Sequence, residues 1–425
     1  MRVKQSTIIP SPSRPGYARL SAEVEYDTPG IAPEAYWFEV ADKYRPYLSD
    51  TGNPWLLCLA PVAVMLGERL CLDMCVDPVL LKNTRQLMKI WVCWFPKLKA
   101  MPIEAPVYSE SDAPRGSKTL SFFSGGVDAF FTAIYHGDTL DPYDRVSIDD
   151  LVNVWGFDIP LSNREAYAKI ESSLRRAASA LNKEFVGVST NLRDTQLRRC
   201  EWEYLYHGPA LAGVAYSMEK KYSRALIASS GGYHGMFPHG THPAVMPFFS
   251  GARMQVLQSG ATFERIGKIE WISRSDAAKR SLHVCFHLAS EKNCGRCLKC
   301  FRTMLTLDLL GALKEFQTFD QSGYDAMRCK RMFLWGKDDE GHARQIRRLA
   351  IQRNRMDIAA AVDLSFRRTR RTKILLAAAG RLKKLPGGMK FFYNVEGRLL
   401  KDFVGGEERY YPAEKDSLFI QSDQL

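Results

Sequence analysis

The residues of this chain that could do chemistry gather in two places, 124–128 and 285–300. Ser124-Gly125-Gly126-Val127-Asp128 follows Thr119-Leu120-Ser121-Phe122-Phe123, which reads as a short buried strand. It precedes Ala129-Phe130-Phe131-Thr132-Ala133-Ile134-Tyr135, apolar enough to open a packed helix. A glycine pair at such a turn lets the backbone approach an anion closely, and the helix N-terminus offers N–H groups with no intrahelical acceptor. Ser124 adds a hydroxyl donor, and Asp128 a carboxylate suited to a magnesium ion riding on phosphates. The same five residues also suit a tight β–α turn that binds nothing.

The second place is Cys285 followed by Asn293-Cys294-Gly295-Arg296-Cys297-Leu298-Lys299-Cys300. Two Cys-x-x-Cys steps share a central cysteine, and a fourth thiol lies a short loop upstream. Four sulfurs so spaced can close a tetrahedral zinc site, with Gly295 at the tight knuckle. An iron–sulfur cluster also suits three close cysteines and a remote one. In the zinc reading four thiolates fill the coordination sphere, so the metal is structural.

Together the two motifs resemble the PP-loop family of ATP pyrophosphatases, and within it the 7-cyano-7-deazaguanine synthases. That group has a Ser-Gly-Gly-x-Asp loop, then a helix opening with glycine, which Tyr206-His207-Gly208-Pro209-Ala210-Leu211 resembles. A four-cysteine zinc site follows, with an arginine soon after the last cysteine, matched by Arg302. The resemblance covers roughly residues 117 to 315. It implies cleavage of ATP to AMP and pyrophosphate with adenylation of a carboxylate, 7-carboxy-7-deazaguanine in that group. Attack of ammonia or another amine then gives an amide and AMP, and in that group a second round of adenylation dehydrates the amide formed from ammonia to a nitrile. The cofactors implied are ATP, Mg²⁺ and Zn²⁺. Ser124, Gly125, Gly126, Val127 and Asp128 would bind pyrophosphate and magnesium, while Arg193 and Arg302 are candidates to neutralise phosphate or carboxylate charge. Ala129 departs from the serine or threonine usual after the aspartate. The segment Tyr233-His234-Gly235-Met236-Phe237-Pro238-His239-Gly240-Thr241-His242-Pro243 replaces an acidic substrate-recognition stretch. Its His239 and His242 are candidates for substrate contact or proton transfer, and equally for a polar turn; His234 has the weaker claim. Alternatives left open are transfer of the activated acid to a partner protein in a specialised pathway such as anti-phage defence, RNA-base thiolation, and a non-catalytic nucleotide-binding module. Thiolation would lean on Cys200, the spare thiol of the central region.

The elements that must position these residues alternate strand and helix, which predicts an α/β fold, a Rossmann-like parallel sheet with helices on both faces. After the first strand and helix, 151–155, 185–190 and 225–230 read as strands, separated by helices over 163–181 and 202–221. Ligands of such sheets bind outside the carboxyl ends of the strands, which puts Ser124, Asp158, Arg193 and Ser230 on one rim. Residues 1–115 read as a small α+β accessory domain, 117–318 as the ATP pyrophosphatase domain with the four-cysteine site, and 319–425 as a basic, mostly helical tail.

Composition agrees with a large soluble enzyme. No apolar stretch approaches membrane-spanning length and no leader is read at the start, while ten cysteines, four of them clustered, fit a reducing cytoplasm. The net charge of +12 falls largely late, in 344–348, 367–371 and 381–384, interleaved with Ile374-Leu375-Leu376-Ala377-Ala378-Ala379. That basic amphipathic pattern suits contact with RNA, an acidic protein or a membrane surface, and equally a solvated helix. A homodimer is the default assembly implied by the resemblance.

Overall fold

The protein's computed structural model describes residues 1–137, 143, 145–233, 236–285, 292–384 and 387–406. Its strands are β1 (Arg2–Val3), β2 (Thr7–Pro10), β3 (Tyr17–Glu25), β4 (Glu34–Ala41), β5 (Leu70–Leu72), β6 (Ile103–Glu104), β7 (Lys118–Phe122), β8 (Asp150–Trp155), β9 (Glu184–Thr190), β10 (Tyr222–Ala228) and β11 (Gln255–Ser259). The helices are α1 (Asn53–Leu66), α2 (Pro78–Trp94), α3 (Val127–Tyr135), α4 (Arg164–Ala180), α5 (His207–Ser217), α6 (Arg265–Ile272), α7 (Asp276–Ser281), α8 (Leu298–Leu309), α9 (Lys337–Gln352), α10 (Met356–Gly380) and α11 (Gly388–Leu400).

All eleven strands join one mixed sheet, ordered β11-β10-β7-β8-β9-β4-β3-β1-β5-β6, with β2 beside β3. The block β11-β10-β7-β8-β9 is parallel throughout. Its chain order reverses between β7 and β10, because β8 and β9 go to one side of β7 while β10 and β11 go to the other. Such a reversal opens a crevice at the carboxyl ends of the two central strands.

Side-chain alternation along the strands explains the helices on both faces. Leu120, Phe122, Val152, Val186, Val188, Ala225 and Ile227 point into a core with α1, α2 and α5. Phe123, Leu151, Phe185 and Leu226 point the other way, into a core with α3, α4, α6, α7 and α8. Helix α1 is buried from Asn53 to Val64, as its all-round apolar sequence requires. The α/β architecture with helices on both faces is therefore present.

Where the sequence reading sets residues 1–115 apart as an accessory domain, the structure has them continue the central sheet. Strand β4 pairs antiparallel with β9, Phe38 opposite Thr190 and Val40 opposite Val188, and α1 and α2 supply most of the cover on one face. Buried Glu219, just past α5, fastens the two parts: its carboxylate accepts from Ser49 Oγ (2.5 Å), Thr51 Oγ1 (2.5 Å) and Asn53 Nδ2 (2.8 Å). The helix expected over 202–221 is broken, with a π-turn at Trp202–Tyr206 before α5. Among the described residues beyond 319 the chain is mostly helical, and α8, α9 and α10 share a core that holds Phe301, Leu305, Ile346, Ile358 and Val362. Among the described residues, no helix is long and apolar enough to cross a membrane.

Candidate active site

The glycine loop leaves β7 at the point where the strand order reverses. Gly125 has φ +78°, a conformation that disfavours any side chain, and a Cβ there would stand 2.7 Å from Leu174 Cδ2. Gly126 caps α3 without any side-chain hydrogen bond to the first turn, so the amides at this helix start face outward uncapped by side chains. Ser124 is exposed, and its Oγ lies 3.4 Å from Gly126 N.

Asp128, in the first turn of α3, is gripped by two cations of α6. Arg265 Nη1 lies 2.7 Å from its Oδ2, and Lys268 Nζ lies 3.0 Å from its Oδ1. Lys268 is 1% exposed, and its Nζ also donates to Ser229 O at 2.5 Å. One ammonium thus ties the loop after β7 to the end of β10, across the crevice. Burial lowers the Lys268 pKa, against the opposing pull of Asp128.

Two further cations arrive from α8. Lys299 is pushed below the ordinary lysine value by burial first, then by Arg302 and Arg265, while Asp158 and Asp128 pull the other way. Arg302 Nη1 donates to Asp339 Oδ1 of α9 at 2.8 Å. His342, one turn further along α9, is buried and pushed well below the ordinary histidine value, chiefly by burial and then by Arg302, Arg265, Lys268 and Lys299. Four cations from two helices therefore act on one another, Arg265 and Lys268 on Asp128 and Arg302 on Asp339, with His342 in the field of all four.

The cysteine cluster is what holds α8 there. The sulfur atoms of Cys285, Cys294, Cys297 and Cys300 lie within 4.8 Å of one another, so the cluster could hold a metal ion such as zinc. Cys294 Sγ and Cys300 Sγ are 3.9 Å apart, close to the edge of roughly 3.8 Å of a tetrahedron with Zn–S bonds of about 2.3 Å. Backbone N–H groups of Arg296 and Cys297 point at Cys294 Sγ (3.4 and 3.3 Å), and Cys300 N at Cys297 Sγ (3.4 Å). Gly295 has φ +67°, and a Cβ there would strike Asp320 O at 2.1 Å. Buried Asn293 fixes the remote ligand: its Oδ1 accepts from Val284 N and Cys285 N, and its Nδ2 donates to Leu282 O. The same strap reaches the loop, where His283 N donates to Gly125 O at 2.9 Å. The thiol cluster and the glycine loop are thus one construction.

The remaining sequence-derived residues fall as follows. Asp158 is exposed past β8, close enough to act on both Lys299 and His207. Ser230 is exposed immediately after Ser229, whose carbonyl receives Lys268. Arg193 stands apart from the cation group: its Nη1 donates to Phe157 O at 2.7 Å, and its guanidinium lies 4.6 Å from the Trp202 ring centre. Ala129 is buried, its methyl group turned into the core.

His239 and His242 lie on the same rim, their ring centres 5.7 Å apart. His239 Nδ1 accepts from Thr241 N (3.3 Å) and His242 Nδ1 from Ala244 N (3.0 Å), which leaves the hydrogen of each neutral ring on Nε2. Burial, with His207 and His242 nearby, lowers His239 to about 4. In this state both are hydrogen-bond donors rather than bases. His234 lies outside the described residues.

Sequence reasoning did not find Arg265, Lys268, Lys299, Asp339 or His342. A signal existed for the first three. Arg265 and Lys268 are three apart in a helix following a strand, and Lys299 sits inside the cysteine knuckle. Comparison with protein-family models, curated proteins and solved structures finds no significant match to this chain, so no family follows from likeness.

Proposed function

We propose that this protein is an AMP-forming ATP pyrophosphatase that adenylates a carboxylate and passes the activated acyl group to an amine. The observation that carries this reading is the glycine loop at the sheet's reversal point, with Arg265 and Lys268 paired to Asp128 and Lys299 within electrostatic reach of it. Cleaving ATP between the α and β phosphates places new charge on the departing pyrophosphate. Fixed cations and backbone amides aimed at that charge lower the barrier without reorganising.

ATP is the substrate whose β and γ phosphates would rest on Ser124, Gly125, Gly126 and the start of α3. Asp128 would hold magnesium, which when bound screens the phosphates and orients them. Arg265 and Lys268 are paired with Asp128 and would hold their charge beside the phosphates from there. The substrate carboxylate would attack the α phosphorus, breaking its bond to the bridging oxygen and forming an acyl adenylate. An amine would then add at the acyl carbon, lose a proton and expel AMP. Asp158, Arg193 and the two Nε2–H donors of His239 and His242 lie on the rim where the acid would sit. The four thiols would hold zinc in a closed structural site, so the metal's part is to keep Lys299 and Arg302 in place.

Thiolation of RNA has less support. It would call for a reachable thiol, and Cys200 is 4% exposed, with burial pushing its pKa up.

The test is mass spectrometry of the products formed from Mg-ATP and 7-carboxy-7-deazaguanine, with and without ammonia. An amide or nitrile with ammonia, or an acyl adenylate without it, is the expected result. AMP formation that needs some other acid would keep the reaction and replace the substrate. No acyl product with any carboxylate would overturn the proposal.

A further inference from the structure

The protein's charge is far from evenly spread. Residues 364–401 hold eleven arginines and lysines against a single glutamate, a net of +10 in a chain whose total is +12. This stretch is the second half of α10, the turn after it, and α11. One face of α10 is buried through Ile358, Val362, Ser365, Thr369 and Thr372. The opposite face is left outside, with Leu364, Arg371 and Leu375 recurring at i, i+7 and i+11.

That outer face is apolar as well as basic. Leu364, Ile374, Leu375, Leu382, Met389, Phe391 and Tyr393 are between 38% and 61% exposed. Arg367, Arg370, Arg371, Arg381 and Lys390 form no ion pair among the described residues. Large apolar side chains standing in water between unpaired cations call for an occupant that is both anionic and apolar.

We propose that the outer face of α10 and α11 is a docking surface for an anionic lipid bilayer. Charge complementarity selects an anionic partner, since one carboxylate among eleven cations repels a basic one. The apolar residues favour lipid over nucleic acid, because five of the seven, all of those on α10 among them, are not aromatic and offer a base nothing to stack on. Their arrangement selects a bilayer over a protein groove. A helix that docks in a groove shows an unbroken apolar line, whereas here arginines interrupt it and the residues spread over two helices. At a membrane interface that mixture is favourable: the apolar side chains enter the acyl boundary while the arginines reach up to the headgroups. The proposal rests on none of the glycine-loop residues and stands independently of the proposed reaction.

The test is co-sedimentation of the full chain with phosphatidylcholine vesicles, with and without phosphatidylserine. Binding is expected only where phosphatidylserine is present. Arg370→Gln with Arg371→Gln should weaken it roughly 25-fold, about five-fold for each cation near the surface. Ile374→Gln with Leu375→Gln, which leaves the charge unchanged, should abolish it; these side chains are exposed, and circular dichroism checks that both variants fold. The proposal is overturned if the wild-type chain stays in the supernatant with anionic vesicles. It is equally overturned if Ile374→Gln with Leu375→Gln binds as well as wild type, which would mean charge alone is at work. Tighter binding to single-stranded RNA that strips the protein from vesicles would reassign the surface to nucleic acid.

Discussion

Replacing Lys268 with methionine separates the structural from the chemical part of the site. The ammonium is buried, with Asp128 Oδ1 at 3.0 Å and Ser229 O at 2.5 Å. Hydrogen bonds to charged groups contribute about 1.5–3 kcal/mol each, but burying an ammonium costs several kcal/mol, which methionine avoids. Asp128 also keeps Arg265 as a partner. The net change in stability should therefore stay within about 2 kcal/mol, a small part of the 5–15 kcal/mol typical of a folded domain. Turnover should respond far more strongly. A fixed donor aimed at developing charge contributes on the order of 10²–10³ in kcat, about 2.7–4 kcal/mol. The assay is pyrophosphate release under saturating ATP, with thermal melting run alongside. A well-folded Lys268→Met protein that releases pyrophosphate at the wild-type rate would refute the role given to this lysine.

Three other outcomes are expected. Cys297→Ser should lose its metal and become insoluble, because three ligands do not close the knuckle that seats α8; a soluble, metal-free and active Cys297→Ser protein would contradict this, with metal content read by elemental mass spectrometry. Gly125→Ala should fold at a cost of about 1–2 kcal/mol for the left-handed backbone, yet lose AMP formation, since its methyl would push against Leu174; unchanged turnover would show that the loop carries no phosphate. Glu219 is raised from 4.5 to about 7 by burial, so the native state holds its proton more tightly than the unfolded chain does. The stability this contributes, roughly 3 kcal/mol, is full below pH 4.5 and lost as pH rises through 7. The Tm difference between wild type and Glu219→Gln should follow that window, and a difference independent of pH would be the contrary result.

Much of the parallel sheet was legible because its strands are short apolar runs cut by turn residues. β7, β8, β9 and β10 fall within a few residues of their expected places, as do α3 and α4. Cysteine spacing alone brought four thiols together, since ligand geometry is local in sequence. What stayed hidden depends on long-range pairing. No local pattern says that β4 will sit beside β9, or that α1 and α2 will cover the parallel strands that follow residue 117. No local signal marks the π-turn at Trp202–Tyr206, which spans only five residues. Lys268 was missed for a different reason. A lysine in an amphipathic helix reads as solvent-facing, and only the fold reveals that this one points inward, onto Asp128.

The central claim is that ATP is cut between its α and β phosphates at the glycine loop. Phosphorus NMR of ATP incubated with magnesium, protein and acid substrate reads the position of cleavage directly. The account predicts matched AMP and pyrophosphate signals from the wild type, and neither from a folded Asp128→Ala protein. ADP with inorganic phosphate, or AMP and pyrophosphate undiminished in Asp128→Ala, would contradict it.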